Sequence, residues 1–175
     1  MYNKSQTTVE FIILTACLFL VFLPILYLLS DYSIKTSSEI ITTQVNQLGS
    51  KLVTESREMY YLGLFSKEVI TVNIPNGITN MSFLVINKSG SFEYYFIVNY
   101  TQEDKSLQQV FLSDIPLITS NSTEITKDLS CYGMGTECHL FYFGADDFLS
   151  GNRNFKLETV IWNGTYAVNI TKTEW

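Results

Sequence analysis

The side chains best equipped for chemistry are few, and their spacing argues against catalysis. His139 is the single histidine of the chain, and no Ser-His-Asp or Cys-His arrangement with a sensible context accompanies it. Asp146 and Asp147 form a carboxylate pair, but neighbours in an extended chain point apart, whereas acid–base work needs convergent groups. With Asn152 and Asn154 they supply oxygen ligands without calcium-loop spacing, so the stretch reads as a solvated turn. Glu137, His139 and the two cysteines Cys131 and Cys138 carry metal-binding atoms, yet ligands crowded on one short loop give poor tetrahedral geometry. No glycine-rich phosphate loop occurs. The expectation is a protein without catalytic residues, bound metal or cofactor, and not an enzyme.

The elements that carry these residues begin with an apolar run. Phe11 to Leu29 is 19 residues without a charge, interrupted only by Thr15 and Pro24. As a helix it is about 28 Å long, close to the ~30 Å hydrocarbon core of a bilayer. The amino terminus and Lys4 precede it; Asp31, Lys35 and Glu39 follow it without basic excess. The positive-inside rule therefore places the N-terminus in the cytoplasm and residues 31–175 outside. The run is too long for an ordinary secretory signal, and no small-residue cleavage site follows it.

Of 11 Lys+Arg and 17 Asp+Glu in the whole chain, Lys4 and Glu10 precede the run, which leaves the exported part with 10 and 16. An acidic surface without Lys/Arg clusters argues against nucleic-acid binding, which requires a positive footprint. It equally argues against docking on anionic lipid. Outside the cell disulfides persist, and Cys131 and Cys138 flank a loop containing Gly133 and Gly135 that can bend back, so a Cys131–Cys138 bridge is expected. Cys17, within the apolar run, reads as a small packing residue.

Glu10 sits at the mouth of the apolar run. A helix N-terminus favours a negative charge, but a carboxylate so close to hydrocarbon is costly and tends to be paired or functional. The segment Gln6-Thr7-Thr8-Val9-Glu10-Phe11-Ile12-Ile13-Leu14 closely resembles the class III signal of archaeal type IV pilin-like proteins, Q-x-S-x-E-x-x-x-L after a short basic leader. Gln6, Glu10 and Leu14 match; Thr8 replaces the serine and keeps its hydroxyl. The resemblance covers about the first 30 residues. It implies cleavage between Ser5 and Gln6 by a membrane-embedded prepilin peptidase, which leaves the apolar helix in the mature chain with Glu10 as its fifth residue. It also implies that this carboxylate pairs with the free amine of a neighbouring subunit, because either charge alone in an apolar filament core would be expensive.

Beyond the membrane, residues 31–62 lack proline and contain one glycine, Gly49. Ile34, Ile41, Val45, Leu48, Leu52 and Met59 mark one helical face. The spacing predicts one long helix over 6–62, the segment 11–29 in lipid, 31–62 amphipathic, with Pro24 kinking the lipid half and Gly63 as a left-handed cap. The apolar face of the outer half has two uses, packing on the protein's own head or contact with other subunits. After Gly63 the helical period gives way to β-rich runs at Val69–Ile74, Met81–Ile86, Phe92–Tyr100, Leu107–Leu112, His139–Phe143, Phe155–Trp162 and Tyr166–Thr171. Asn76-Gly77, Ser89-Gly90 and above all Asn163-Gly164, a type I′ hairpin signal, separate them. The expected fold is α+β: a leader over 1–5, the long helix, and an antiparallel β-sandwich-like head over 66–175. Six Asn-x-Ser/Thr triplets, at Asn80, Asn87, Asn99, Asn121, Asn163 and Asn169, suggest glycosylation of this head.

The function expected is a pilin: a structural subunit of a type IV pilus-like surface filament. Its partners would be identical or related subunits, the peptidase, a membrane assembly platform with its ATPase, and the membrane before assembly. The alternatives are a minor or tip subunit with an adhesive head, and a single-pass surface protein that never polymerises.

Overall fold

The computed structural model describes residues 4–88, 90–102, 104–120 and 137–173. The chain is α+β and divides into two compact units, Met1–Ile40 and Ile41–Trp175. Helix α1 (Lys4–Leu62) supplies the first unit and enters the second. It starts two residues before the expected Gln6 and ends at the expected Leu62, where Gly63 follows with φ 93°.

Among the described residues the second unit contains eight strands: β1 (Lys67–Ile74), β2 (Ile78–Lys88), β3 (Ser91–Gln102), β4 (Lys105–Ser113), β5 (Leu117–Ile118), β6 (Glu137–Tyr142), β7 (Gly151–Trp162) and β8 (Thr165–Lys172). They form two four-stranded sheets, in the orders β1-β7-β8-β5 and β4-β3-β2-β6. All seven expected runs are strands. The addition is β5, which lies parallel to β8, with Leu117 opposite Val168; every other pairing is antiparallel.

Period-2 alternation explains how the sheets bury their cores. On β1, Ile70, Val72 and Ile74 face inward while Thr71 and Asn73 face out. Met81, Phe83 and Val85 of β2, Phe96 and Val98 of β3, Phe155 and Leu157 of β7, and Ala167, Val168 and Ile170 of β8 join them in one cluster. Aromatic rings bridge the two layers: Phe83 stands 5.1 Å from Phe96 and 5.1 Å from Phe143, which stands 5.9 Å from Phe155. Edge-on rings at this separation add specific attraction to the area they bury.

The α1 residues from Ile41 onward complete this core. Val45, Leu48, Leu52 and Met59 are buried in the same cluster. Around them Lys51 Nζ donates to the Thr71 carbonyl (2.7 Å), Arg57 pairs with Asp114 (2.8 Å), and Thr159 Oγ1 on β7 donates to the Met59 carbonyl (3.0 Å). Of the two uses open to the stripe, these four residues take the first: they pack on their own head.

The outer faces of the sheets differ. That of β1-β7-β8 carries Val69 among polar side chains, with Lys67 and Lys156 both paired to Glu158. That of β4-β3-β2-β6 carries a second apolar cluster of Leu84 and Ile97, flanked by Ile86, Tyr95 and Leu140.

Candidate functional site

The segment whose apolar surface stands open is the first part of α1. Val9–Ser33 is a helix long and apolar enough to cross a membrane, and none of its most apolar window is buried within the protein. Phe11, Leu14, Leu20 and Tyr27 expose 67–74% of their surface. The contrast with Val45, Leu48, Leu52 and Met59 lies within one helix. The later stripe is consumed by the head core, whereas the earlier side chains are apolar all round and uncovered. A helix apolar on every side requires lipid or other protein around it.

The ends of this span carry its charges. At the outer end Lys35 Nζ meets Asp31 Oδ2 at 2.8 Å, an i,i+4 pair that neutralises itself on one helix face. Near the other end Glu10 is exposed on the helix. No lysine or arginine occurs from Gln6 to Leu14, so no i±3 or i±4 side chain on the helix can neutralise it. The backbone of Ser5 and Gln6 is helical, within the first turn of α1. Thr15 Oγ1 returns to the Phe11 carbonyl at 2.8 Å, which satisfies its hydroxyl without leaving the helix.

The remaining expected site residues are scattered. Cys138 lies on β6 opposite Ile86; Cys131 and Asn121 fall outside the described residues, so the Cys131–Cys138 bridge remains an expectation. Cys17 is a free, exposed cysteine on the apolar span. His139 packs edge-on to Trp162 with ring centroids 5.7 Å apart. Among the described residues, no three His, Cys, Asp or Glu side chains gather into a metal-binding group. The Asp146-Asp147 stretch departs from the solvated turn expected of it. It forms a one-turn 3-10 helix, Ala145–Phe148, in which Asp147 is buried and its Oδ2 accepts the Gly144 N–H at 2.9 Å. The carboxylate closes a backbone turn, a role no motif signals.

Of the expected glycosylation sites, Asn163 occupies the β7–β8 hairpin tip with φ 48°, followed by Gly164 at 79°. This is the left-handed pair that a type I′ turn requires and that asparagine and glycine tolerate best. Asn80 and Asn99 face each other across β2 and β3. Asn87 Oδ1 accepts the Gly90 N–H at 3.1 Å, and Asn169, on β8, bonds to Ser120.

Compared with family models, with curated proteins and with solved structures, the chain matches none of them.

Proposed function

We propose that this chain is a pilin-like subunit, held in the membrane by α1, processed before Gln6, and built into a surface filament through the same helix. The observation that carries this reading is the division of α1. The head satisfies its own core with the side chains from Val45 to Met59, while the apolar span from Val9 to Ser33 is left without any covering inside the protein. In the membrane, lipid covers it. In a filament, equivalent helices of other subunits would cover it, and no change in the head is needed for the transfer.

Glu10 supports the same reading. It has no lysine or arginine three or four residues away on its own helix, unlike Asp31 with Lys35. An unpaired carboxylate entering an apolar helix bundle is strongly unfavourable, so assembly would require a positive partner. The α-amine released at Gln6 of a neighbouring subunit is the group that the signal resemblance implies.

The test is mass spectrometry of filaments sheared from the cell surface. The expected result is this chain, in high copy number, with its N-terminus at Gln6. A processed chain found only in the membrane fraction would favour a non-polymerising anchor, and an unprocessed chain starting at Met1 would overturn the reading.

A further inference from the structure

Four of the six Asn-x-Ser/Thr triplets lie wholly within the described residues: those beginning at Asn80, Asn99, Asn163 and Asn169. Their sequence grade is equal, but their surroundings are not. An N-glycosylation acceptor belongs on a surface loop, where a transferase can reach both the asparagine amide and the hydroxyl two residues on. In a β-strand the first and third residues share a face and the second points the other way. Three of the triplets bury that second residue in the core: Met81 and Ile170 completely, Tyr100 almost so.

The same three lie on inner strands, β2 between β3 and β6, β3 between β4 and β2, and β8 between β7 and β5. Reaching Asn99 and Asn169 demands rupture of ladders on both sides, and reaching Asn80 rupture of its ladder to β3. All three have further obstacles. Asn80 and Asn99 are register partners, so two oligosaccharides would leave from facing residues about 5 Å apart. Asn169 accepts the Ser120 N–H at 2.9 Å and returns its own amide to Ser120 Oγ at 3.3 Å.

The fourth triplet is different at every position. Asn163, Gly164 and Thr165 are all exposed and span the turn itself, where Trp162 and Thr165 close the ladder. Thr165 Oγ1 donates to the Trp162 carbonyl at 3.1 Å, exposed to solvent.

We propose that the folded head is an N-glycoprotein and that, of these four triplets, Asn163 is the acceptor. The donor is an oligosaccharide carried on a lipid phosphate. Asn163 Nδ2 attacks the anomeric carbon; the new C–N bond forms as the anomeric C–O bond to the phosphate breaks. The lipid phosphate leaves with the bonding pair, and the amide gives up one proton to a base of the transferase. Nothing is oxidised or reduced. The proposal rests on the outward placement of the head in the preceding reading.

The experiment is glycopeptide mapping of the full chain isolated from its native cells, with the N-terminal peptide read in the same digest. Sugar is expected on the Asn163 peptide, with the Asn80, Asn99 and Asn169 peptides bare. Thr165→Ala should lower the intact mass by that one oligosaccharide, and Thr165→Ser should retain it. A bare Asn163, or sugar on Asn80, Asn99 or Asn169, overturns the proposal. An N-terminus other than Gln6 counts instead against the filament reading, so the two failures are told apart.

Discussion

Gly49 of α1 lies directly against the ring of Phe111 on β4, so close that a methyl group on Gly49 would overlap ring carbons Cε2 and Cζ. Within a helix, glycine is normally worse than alanine by about 1 kcal/mol. Here the missing side chain is what lets the helix approach the sheet. Gly49→Ala is therefore expected to destabilise the head by about 1–3 kcal/mol, as over-packing does elsewhere. Phe111→Leu should relieve part of that loss in the double mutant, a coupling that only neighbours show. Denaturant unfolding of the full chain in detergent checks both; a more stable Gly49→Ala protein would show that the contact is loose.

The bond from Thr159 Oγ1 to the Met59 carbonyl joins β7 to the last turn of α1 across 100 residues of sequence. Thr159 is fully buried. Thr159→Val keeps the shape and removes the donor, which should cost about 1–2 kcal/mol. Thr159→Ser should cost less. Thermal unfolding of the two variants side by side distinguishes a lost bond from lost packing.

How far these relationships were legible in advance varies with their range. The strands were readable because local alternation and turn residues announce them, down to the Asn163-Gly164 hairpin. The two residues of β5 were not, since a pair cannot show a period. The division of strands between sheets was equally hidden: β1 pairs with β7 rather than with its neighbour β2, a consequence of long-range packing. The α1 stripe was visible as a stripe, but which apolar positions the head would claim was not. Asp147 misled because a charged pair in a loop reads as solvated, whereas one carboxylate serves a backbone N–H. Gly49 carried no signal at all, because its significance lies in Phe111.

The Glu158 carboxyl is held below its usual range, first by its hydrogen bond to Lys156 and then by that to Lys67. The native state therefore binds fewer protons than the unfolded chain in the acid range. The contribution is complete above the unfolded carboxylate value of about 4.3 and is lost as pH falls through the lower native value. Glu158→Gln should cost less than about 1 kcal/mol at pH 7, since the group lies at the surface. It should also flatten the decline in stability below about pH 4. Unfolding curves at pH 7 and pH 3 provide the comparison; an unchanged acid limb would remove Glu158 from the account.

Glu10→Ala chains are expected to reach the membrane and fold their heads, yet to enter filaments at least tenfold less often, the effect of about 1.4 kcal/mol. Quantifying the chain in sheared and membrane fractions tests this. Normal incorporation would mean that the carboxylate has no part in assembly.

Peptide mapping without reductant should recover Cys131 and Cys138 in one linked species and Cys17 as a free thiol. A loop this short gives about 2–3 kcal/mol of stabilisation by the chain-entropy estimate. Cys138→Ser should lower stability by that order, and unlinked peptides would remove the bridge.

The pairing of β1 with β7 also sets an order of events. Lys67 emerges early from the ribosome, but its partner across the sheet is Glu158. Contacts this distant in sequence form slowly, because a long loop must close before any of them is rewarded. Until β7 arrives, β1 has an unpaired edge and the α1 face around Leu48 and Leu52 lacks one wall of its core. The β2–β3–β4 meander, whose pairings are local, can form first and present Phe83 and Phe96 as a platform. The head should thus mature from its middle outward, and its N-terminal strand should be the last to find its place.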